Sequence, residues 1–583
     1  MREKTKRNEK SRIGVFVCSC GINIGGVVDV PKVVKYAKTL PGVAYAESNL
    51  YTCSSEGTRK ITDKIKEHSL NRVVVASCTP RTHEPLFRET CEEAGLNKYL
   101  FEMANIREHC SWVHMREEKK ATKKAKDIVR MAVAKARLLK PQEETEISVT
   151  PTTLIIGAGI SGMLAALCLA RQGFKVYLVE KEAEVGGMLR KLNKLYPTDD
   201  DASTLLNLAI RAVKANSNID LHTSTVIQDV KGYIGNFEAA ALKNGKDRSA
   251  LNVGTIIVAT GAEEFKPTGM YSYGEQKNVV TQLELEQLLK AGLPENVNKV
   301  VMIQCVGAME EPFSGGREYC SRICCAVALK NAVLIKESKP KTDVYILYRH
   351  LQAYGREYEN YYLRAQEKNV KFVNYLPKKP PSVKVEASGR LKVNVFNTII
   401  GEEISIDCDL LVLSTPLVQH EAGKSLSPLL KVPLGADGFF LEAHIKLRPV
   451  DFATDGVYVC GTAHSPKAVD ESIIQAHAAA SSAAIPMAME RVRSEAITAG
   501  VAEDLCRGCG KCKEACEFNA ITLEKKIFEV EPFFREPILV ATVNEVVCKG
   551  CGSCATACPT GAIAMKHFTD KQILAEIEAA YRS

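Results

Sequence analysis

Short, almost wholly apolar runs recur along this chain ahead of longer segments whose apolar residues fall three and four apart, a βα rhythm. Residues 13 to 18 (IGVFVC) predict a strand. A helix over Val30 to Leu40, an extended segment to Cys53, a helix over Thr58 to His68, a strand over Arg72 to Ala76 and a strand-like segment over Tyr99 to Met103 follow it. Met115 to Lys140 begins polar and becomes apolar-periodic, which predicts a helix broken by Pro141 and the acidic linker Gln142 to Glu146. The alternation points to α/β layers on parallel sheets, with loops gathered at one sheet edge.

The clearest strand lies further on. Leu154 to Ile156 runs into Gly157-Ala158-Gly159-Ile160-Ser161-Gly162, a helix follows, and a second strand, Val176 to Val179, ends at Glu180. This is the dinucleotide fingerprint in its required context. One glycine permits the tight turn, one lets backbone approach a pyrophosphate, one lets helix and strand pack, and the acid accepts ribose hydroxyls. Glycine-rich turns also serve packing alone, but here strand, helix, second strand and acid fall in order. A second unit starts well at Lys299 to Gln304 and continues as a helix (Ala326 to Ile335) and a strand (Asp343 to Tyr348). Its glycine turn is replaced by CVGAMEEPFSGGREYCSRICC, and the strand ends in Arg349-His350 with no acid. That half has lost a nicotinamide nucleotide site.

Composition narrows the class. At 583 residues the chain holds three or four domains, and 46% hydrophobic with 25% charged residues is ordinary for a globular protein. The net charge of +8 is small and concentrated in residues 1 to 12, read as a solvated tail, and in Lys119 to Lys140, read as an exposed linker helix. No recognition motif accompanies it, so nucleic acid is not expected as a partner. The start is too polar for a signal peptide, and no window approaches about 20 apolar residues. The expectation is a cytoplasmic protein without a membrane span. Its 21 cysteines then imply metal or redox chemistry rather than disulfides.

The cysteines cluster in three places. Cys18, Cys20, Cys53, Cys78 and Cys110 fall at strand ends of the first α/β segment. They can ligate an iron-sulphur cluster, with buried structural thiols as the alternative. Cys305, Cys320, Cys324 and Cys325 occupy the loop of the altered second unit and suffice for a 4Fe-4S site; a redox dithiol would want a clean C-x-x-C there. Cys506, Cys509, Cys512, Cys516 and Cys548, Cys551, Cys554, Cys558 have the paired spacings of a two-cluster ferredoxin, in which the fourth cysteine of each run reaches the other cluster. One cluster takes Cys506, Cys509, Cys512 and Cys558, the other Cys548, Cys551, Cys554 and Cys516. Residues 527 to 543 between the runs form a hairpin or a partner surface. Cys91, Cys168, Cys408 and Cys460 are read as small hydrophobes, and His83 and His464 as structural.

Two resemblances follow. Glu180-Lys181 with Gly186-Gly187-Met188, Thr255 to Gly261 (TIIVATG) and Asp455 to Gly461 (DGVYVCG) resemble the FAD-binding disulfide reductases and thioredoxin reductases, except that Thr462 stands where they carry Asp. The VCSCG, SCTPRTHEPLF and FEMANIREHCSWVH stretches, the C-x3-CC insertion, the ferredoxin runs and GTAHSPKAVDESIIQAHAAA resemble the HdrA family of heterodisulfide reductase, in its short form without an inserted ferredoxin domain. The resemblance implies an α/β fold: an N-terminal iron-sulphur domain with its linker helix (1–140), a doubly wound, thioredoxin-reductase-like FAD domain (147–497) with a cluster site at 305–325, and a two-cluster ferredoxin domain (498–583). It implies FAD on Gly157, Gly159, Gly162, Glu180, Lys181, Gly187, Met188, Gly261, Gly461 and Lys467. It also implies four 4Fe-4S clusters, the N-terminal one on Cys20, Cys53, Cys78 and Cys110, with Cys18 the rival ligand. The implied activity is flavin-based electron bifurcation in a complex with HdrB/HdrC-like subunits, ferredoxin, a hydrogenase- or formate-dehydrogenase-linked donor and a second copy of the chain. A free-standing NAD(P)H- or ferredoxin-linked flavin oxidoreductase and a simple electron relay are the alternatives.

Overall fold

A computed structural model describes residues 10–310, 316–355, 357–387, 389–527 and 537–581. Most of the N-terminal tail, five residues of the inserted cysteine loop and the centre of the 527–543 segment lie outside them. The chain divides into two compact units: residues 1–146 with 493–583, and residues 147–492.

In the first unit, β1 (Ile13–Cys18), β2 (Val43–Asn49), β3 (Arg72–Ser77) and β4 (Phe101–Asn105) form a parallel sheet in the order β2-β1-β3-β4. β1 is buried along its whole length and β3 at five of its six positions, which explains their unbroken apolar runs. Every strand ends toward the same edge, so Cys18, Cys53, Cys78 and Cys110 follow the carboxyl ends of the four strands. The helix Glu118–Ala136 corrects the expectation of an exposed linker. Ala121, Ala125, Val129, Ala132, Val133 and Ala136 are buried in the N-terminal core, and only its charged side meets solvent. Alanines make a stripe thin enough to pass for a polar helix.

The ferredoxin end shares this unit. It has two short helices, Lys511–Glu514 and Ser553–Ala557, and two antiparallel strand pairs: Ala499–Val501 with Ile563–Met565, and Ile521–Ile527 with Pro537–Val543. The latter is the expected hairpin in its described part. The terminal helix Asp570–Tyr581 packs on Glu118–Ala136, where the Arg130 Nε–H donates to Ala579 O at 2.6 Å. Buried Lys135 pairs with Glu102 at 3.0 Å, and His567 reaches Glu102 at 3.3 Å.

The second unit holds two parallel five-stranded sheets, each interrupted in sequence by an antiparallel three-stranded sheet, which precedes Thr255–Val258 in the first and Leu410–Leu413 in the second. The first sheet has Thr152–Ile156 at its centre, between Thr255–Val258 and Lys175–Val179. The second has Lys299–Ile303 at its centre, between Leu410–Leu413 and Asp343–Tyr348. Tandem doubly wound sheets of this kind are the α/β architecture of a thioredoxin-reductase-like flavoprotein. Among the described residues no helix is long and apolar enough to cross a membrane.

Candidate flavin and iron-sulphur sites

At the carboxyl end of Thr152–Ile156, Gly157 takes φ +107°, and a Cβ there would lie 2.4 Å from Ala259 O. A Cβ on Gly162 would lie 1.9 Å from Gly157 O. A Cβ on Gly159 would meet nothing within 4 Å. Two glycines are therefore demanded by packing, and the third faces open space at the N-terminus of helix Ile160–Arg171. That division suits a pyrophosphate seated on Gly159. Gly186 bridges Gly159, and Gly187 stands against it, so the second glycine pair lines the same space.

Glu180 is buried. Its Oε2 accepts the Ala158 N–H at 2.8 Å and its Oε1 accepts the Glu182 N–H at 3.0 Å, leaving lone pairs for ribose hydroxyls. Exposed Lys181 contacts His420 Nε2 at 2.6 Å, and Met188 is half-buried. The closing turn adjoins the fingerprint helix: a Cβ on Gly461 would reach Ser161 Oγ at 2.3 Å, and one on Gly261 would reach Thr462 Oγ1 at 3.7 Å. Thr462, where the flavin enzymes carry Asp, thus lies against Gly261.

Lys467 is held in the same turn. Its Nζ donates to Gly461 O at 3.0 Å, Ser465 Oγ at 2.9 Å and Ser465 O at 3.2 Å, and stands 3.3 Å from His464 Nδ1. Gln475 Nε2 also reaches that ring nitrogen, at 2.9 Å, so the proton belongs on Nε2, which donates to Glu442 at 2.9 Å. Burial lowers Lys467 to about 8 and lowers His464 as well. Sequence reasoning treats His464 as merely structural; its ties to Lys467 and Glu442 become visible only in three dimensions.

In the second sheet, Cys305 follows Lys299–Ile303 with φ +62°, and Cys324 and Cys325 open the helix Cys324–Ser338. Burial pushes the Cys305 thiol up to about 11 and Cys325 to about 12, and lifts Cys324 well above the ordinary thiol range. After burial, the charges of the other three cysteines are the next largest causes at Cys324, so the four sit within electrostatic reach of one another. Three buried cysteines and the half-buried Cys320 would repel one another as thiolates, so they ionise together only around cations, as ligation to iron would provide. Beside them the buried Gln304 amide has no partner among the described residues, and the Arg322 N–H donates to Cys320 Sγ at 3.3 Å. An unpaired buried amide on the residue preceding Cys305 would suit a cluster sulphur as its acceptor.

The ferredoxin end shows its thiols in two cavities. One is lined by Cys548, Cys551, Cys554 and Cys516, the other by Cys506, Cys509, Cys512 and Cys558. Each lining draws three cysteines from one run and the fourth from the other. Backbone N–H groups of Ala541, Ala520 and Ala499 donate to Cys506, Cys516 and Cys548 at 3.3–3.4 Å. Among the described residues no three Cys, His, Asp or Glu side chains converge on a single-ion site. The two ferredoxin sets line cavities instead, as a cluster with one thiolate per iron would require.

The N-terminal cysteines divide differently from the expected set. Cys18 Sγ accepts N–H groups from Cys20 at 3.3 Å and Thr52 at 3.4 Å, the same amide-to-sulphur pattern. After burial, Cys18 is the largest influence raising the Cys53 thiol, and Cys20 bears on both Cys53 and Cys78. Cys110 faces the other way. It is fully buried in the core, its thiol donates to Ala121 O at 3.0 Å, and burial pushes it up to about 11. Cys18 and Cys20 thus lie within electrostatic reach of Cys53, and Cys20 within reach of Cys78, while Cys110 bears on neither Cys53 nor Cys78. Arg107, which sequence reasoning misses, donates to Cys20 Sγ at 3.5 Å and lies 4.8 Å over the Trp112 ring. Its place three residues before a cysteine is the one signal the sequence offers. Cys91, Cys408 and Cys460 are buried thiols pushed up to about 12, and His83 packs edge-on to Phe87.

A flavin-type dinucleotide fold joined to a ferredoxin fold, both with chemistry-bearing loops, defines an iron-sulphur flavoprotein oxidoreductase using FAD and 4Fe-4S clusters. The 4Fe-4S dicluster domain family matches residues 505–564, and the pyridine nucleotide-disulphide oxidoreductase family matches 151–308. The chain is 40% identical over 612 residues to the A subunit of the H(2):CoB-CoM heterodisulfide,ferredoxin reductase of Methanothermobacter marburgensis, covering 90% of this chain and 92% of that one. It is 40% identical to an iron-sulfur A subunit of the CoB--CoM heterodisulfide reductase of Methanopyrus kandleri, over 98% and 99% of the two chains. Thioredoxin reductase of T. acidophilum is similar over 58% of this chain and 99% of its own, at 18% identity and a TM-score of 0.40. The chain belongs to the HdrA family, the iron-sulphur flavoproteins of heterodisulfide reductase.

Proposed function

We propose that this chain is the bifurcating electron-transfer subunit of a cytoplasmic heterodisulfide reductase complex. The observation that carries the reading is the contrast between its two dinucleotide folds: the first keeps Gly157, Gly159, Gly162 and Glu180 around open space, while the second has four cysteines where a nicotinamide nucleotide would bind. Bound FAD supplies the point at which an electron pair divides, and four 4Fe-4S clusters supply single-electron steps. Gly159 and Gly187 admit the pyrophosphate, Glu180 holds ribose, and Lys467, fixed by Gly461 and Ser465, sets a positive charge at the closing turn. Cys18, Cys20, Cys53 and Cys78 hold the N-terminal cluster in this reading, Cys305, Cys320, Cys324 and Cys325 the central one.

The names of the relatives speak of CoB-CoM heterodisulfide, ferredoxin, hydrogen and formate. Carried to this chain, each electron pair from a hydrogenase- or formate-linked donor yields one electron for ferredoxin and one for HdrB/HdrC-like subunits. Two rounds then supply the two electrons that, with two protons, cleave one heterodisulfide to two thiols. A second copy of the chain completes the core of the complex. The experiment is anaerobic analysis of iron, sulphide and flavin, followed by the flavin's two one-electron potentials. About sixteen iron and one FAD per chain with strongly crossed potentials support the reading. About eight iron, or rapid bleaching by NAD(P)H alone, overturns it.

A further inference from the structure

We propose that the cysteine-bearing edge of the N-terminal sheet is a docking face for a small acidic iron-sulphur protein, an inference that rests on the electron-transfer reading above. Six large apolar side chains stand out from three loops at this edge: Ile22 (85% exposed), Leu50 (63%), Tyr51 (50%), Trp112 (46%), Val113 (61%) and Met115 (67%). They follow β1, β2 and β4, the strands whose ends carry the cysteines, and Cys53 itself is exposed. Single exposed apolar residues are common, whereas a group of six around a redox site marks an interface.

The face is held in shape. The Tyr51 hydroxyl lies where a side chain on Gly21 would come within 2.7 Å, which ties the second loop to the first. Arg107 spans Trp112 and Cys20, which ties the third to the first. An ordered apolar centre lowers the entropy lost on docking.

Charge selects the occupant. Residues 107 to 126 carry seven Lys and Arg against three Glu. Of those acids, Glu108 is bound to Arg107, and Glu117 to His114 and Lys120. Arg81, on the helix that follows Cys78, adds an exposed cation. A second copy of the same face would bring like charge against like. An acidic partner with its own cluster near an apolar centre meets both features, and it alone gives the exposed Cys53 edge something to exchange electrons with.

The test uses the full, cofactor-loaded chain under anaerobic conditions and an acidic two-cluster bacterial ferredoxin as the probe. Its Kd should weaken about tenfold in Met115→Asp, about tenfold in the double variant Lys119→Glu with Lys120→Glu, and strongly between about 50 and about 300 mM salt. Ile399→Asp, an exposed position in the other unit, should leave it unchanged. Carbodiimide cross-linking should join Lys119, Lys120 or Lys123 to ferredoxin carboxylates. Flavin, iron and reduction by dithionite are measured in every variant, so loss of docking with intact cofactors is distinct from failure of the electron-transfer reading. The proposal is overturned if the variants bind within about twofold of the parent, if cross-links fall elsewhere, if basic cytochrome c binds equally well, or if the face binds anionic vesicles instead of ferredoxin.

Discussion

The carboxylate of Glu180 accepts the Ala158 amide at 2.8 Å, so the acid that ends one strand of the flavin fold steadies the glycine turn that ends its neighbour. Glu180→Ala loses this anchor together with the ribose acceptor. A buried charge-assisted hydrogen bond contributes about 1.5–3 kcal/mol, so flavin affinity should fall by about tenfold to a hundredfold. Fluorescence titration of flavin-stripped protein with FAD measures it, and Glu180→Gln should fall between.

The glycines of the fingerprint should separate by substitution. Gly162→Ala drives a Cβ into Gly157 O and should destabilise the second unit by several kcal/mol, seen as aggregation or a large fall in Tm. Gly159→Ala meets open space in the protein alone. It should fold with a normal Tm and full iron content, yet purify without flavin.

At the N-terminal site, Cys18→Ser should lose about four iron per chain. Cys110→Ser should retain them and lose only stability, because its thiol sits in the core against Ala121 O. Iron analysis and low-temperature electron paramagnetic resonance of the reduced protein decide between the two ligand sets.

Burial holds Lys467 at about 8 against its ordinary 10.5. The unfolded chain therefore binds more protons than the folded one between those values, so flavin-free protein should gain stability as pH rises from about 8 toward 10.5. Lys467→Met should remove that gain. Denaturant midpoints across the range test it.

Buried Glu286 accepts the Asn193 N–H at 2.9 Å and pairs with buried Lys330, whose Nζ also donates to Lys194 O at 2.6 Å. Lys330→Met strands the carboxylate and should cost about 3–5 kcal/mol. Adding Glu286→Gln should recover much of it, as read by thermal denaturation.

What can be read in advance is local. Ile13–Cys18 and Thr152–Ile156 are buried strands whose apolar runs announce themselves, and the turn from Gly157 to Gly162 carries its reasons in its own spacing. The exchange of Cys516 and Cys558 is legible because a three-residue step aims the fourth thiol away from its own loop. The role of Glu118–Ala136 is not, since alanines spaced for burial resemble a solvated helix until a partner surface is known. Nor is the division of Cys18 from Cys110. It turns on a π-helical turn, Arg107–Ser111, that winds Cys110 into the core, and on Thr52 and Cys20 aiming amides at Cys18. Gln304 becomes visible only as a buried amide without a partner.

The two cavities at the ferredoxin end each draw thiols from both cysteine runs. Once filled, they would act as inorganic staples between the two cysteine runs, in addition to the antiparallel pair of Ile521–Ile527 with Pro537–Val543. A protease cut between those two strands should leave two pieces that stay together, and chelating the iron should loosen them to what the strand pairs and the helix Asp570–Tyr581 still hold. Each cluster would then need both runs, which would couple iron delivery to the folding of this end.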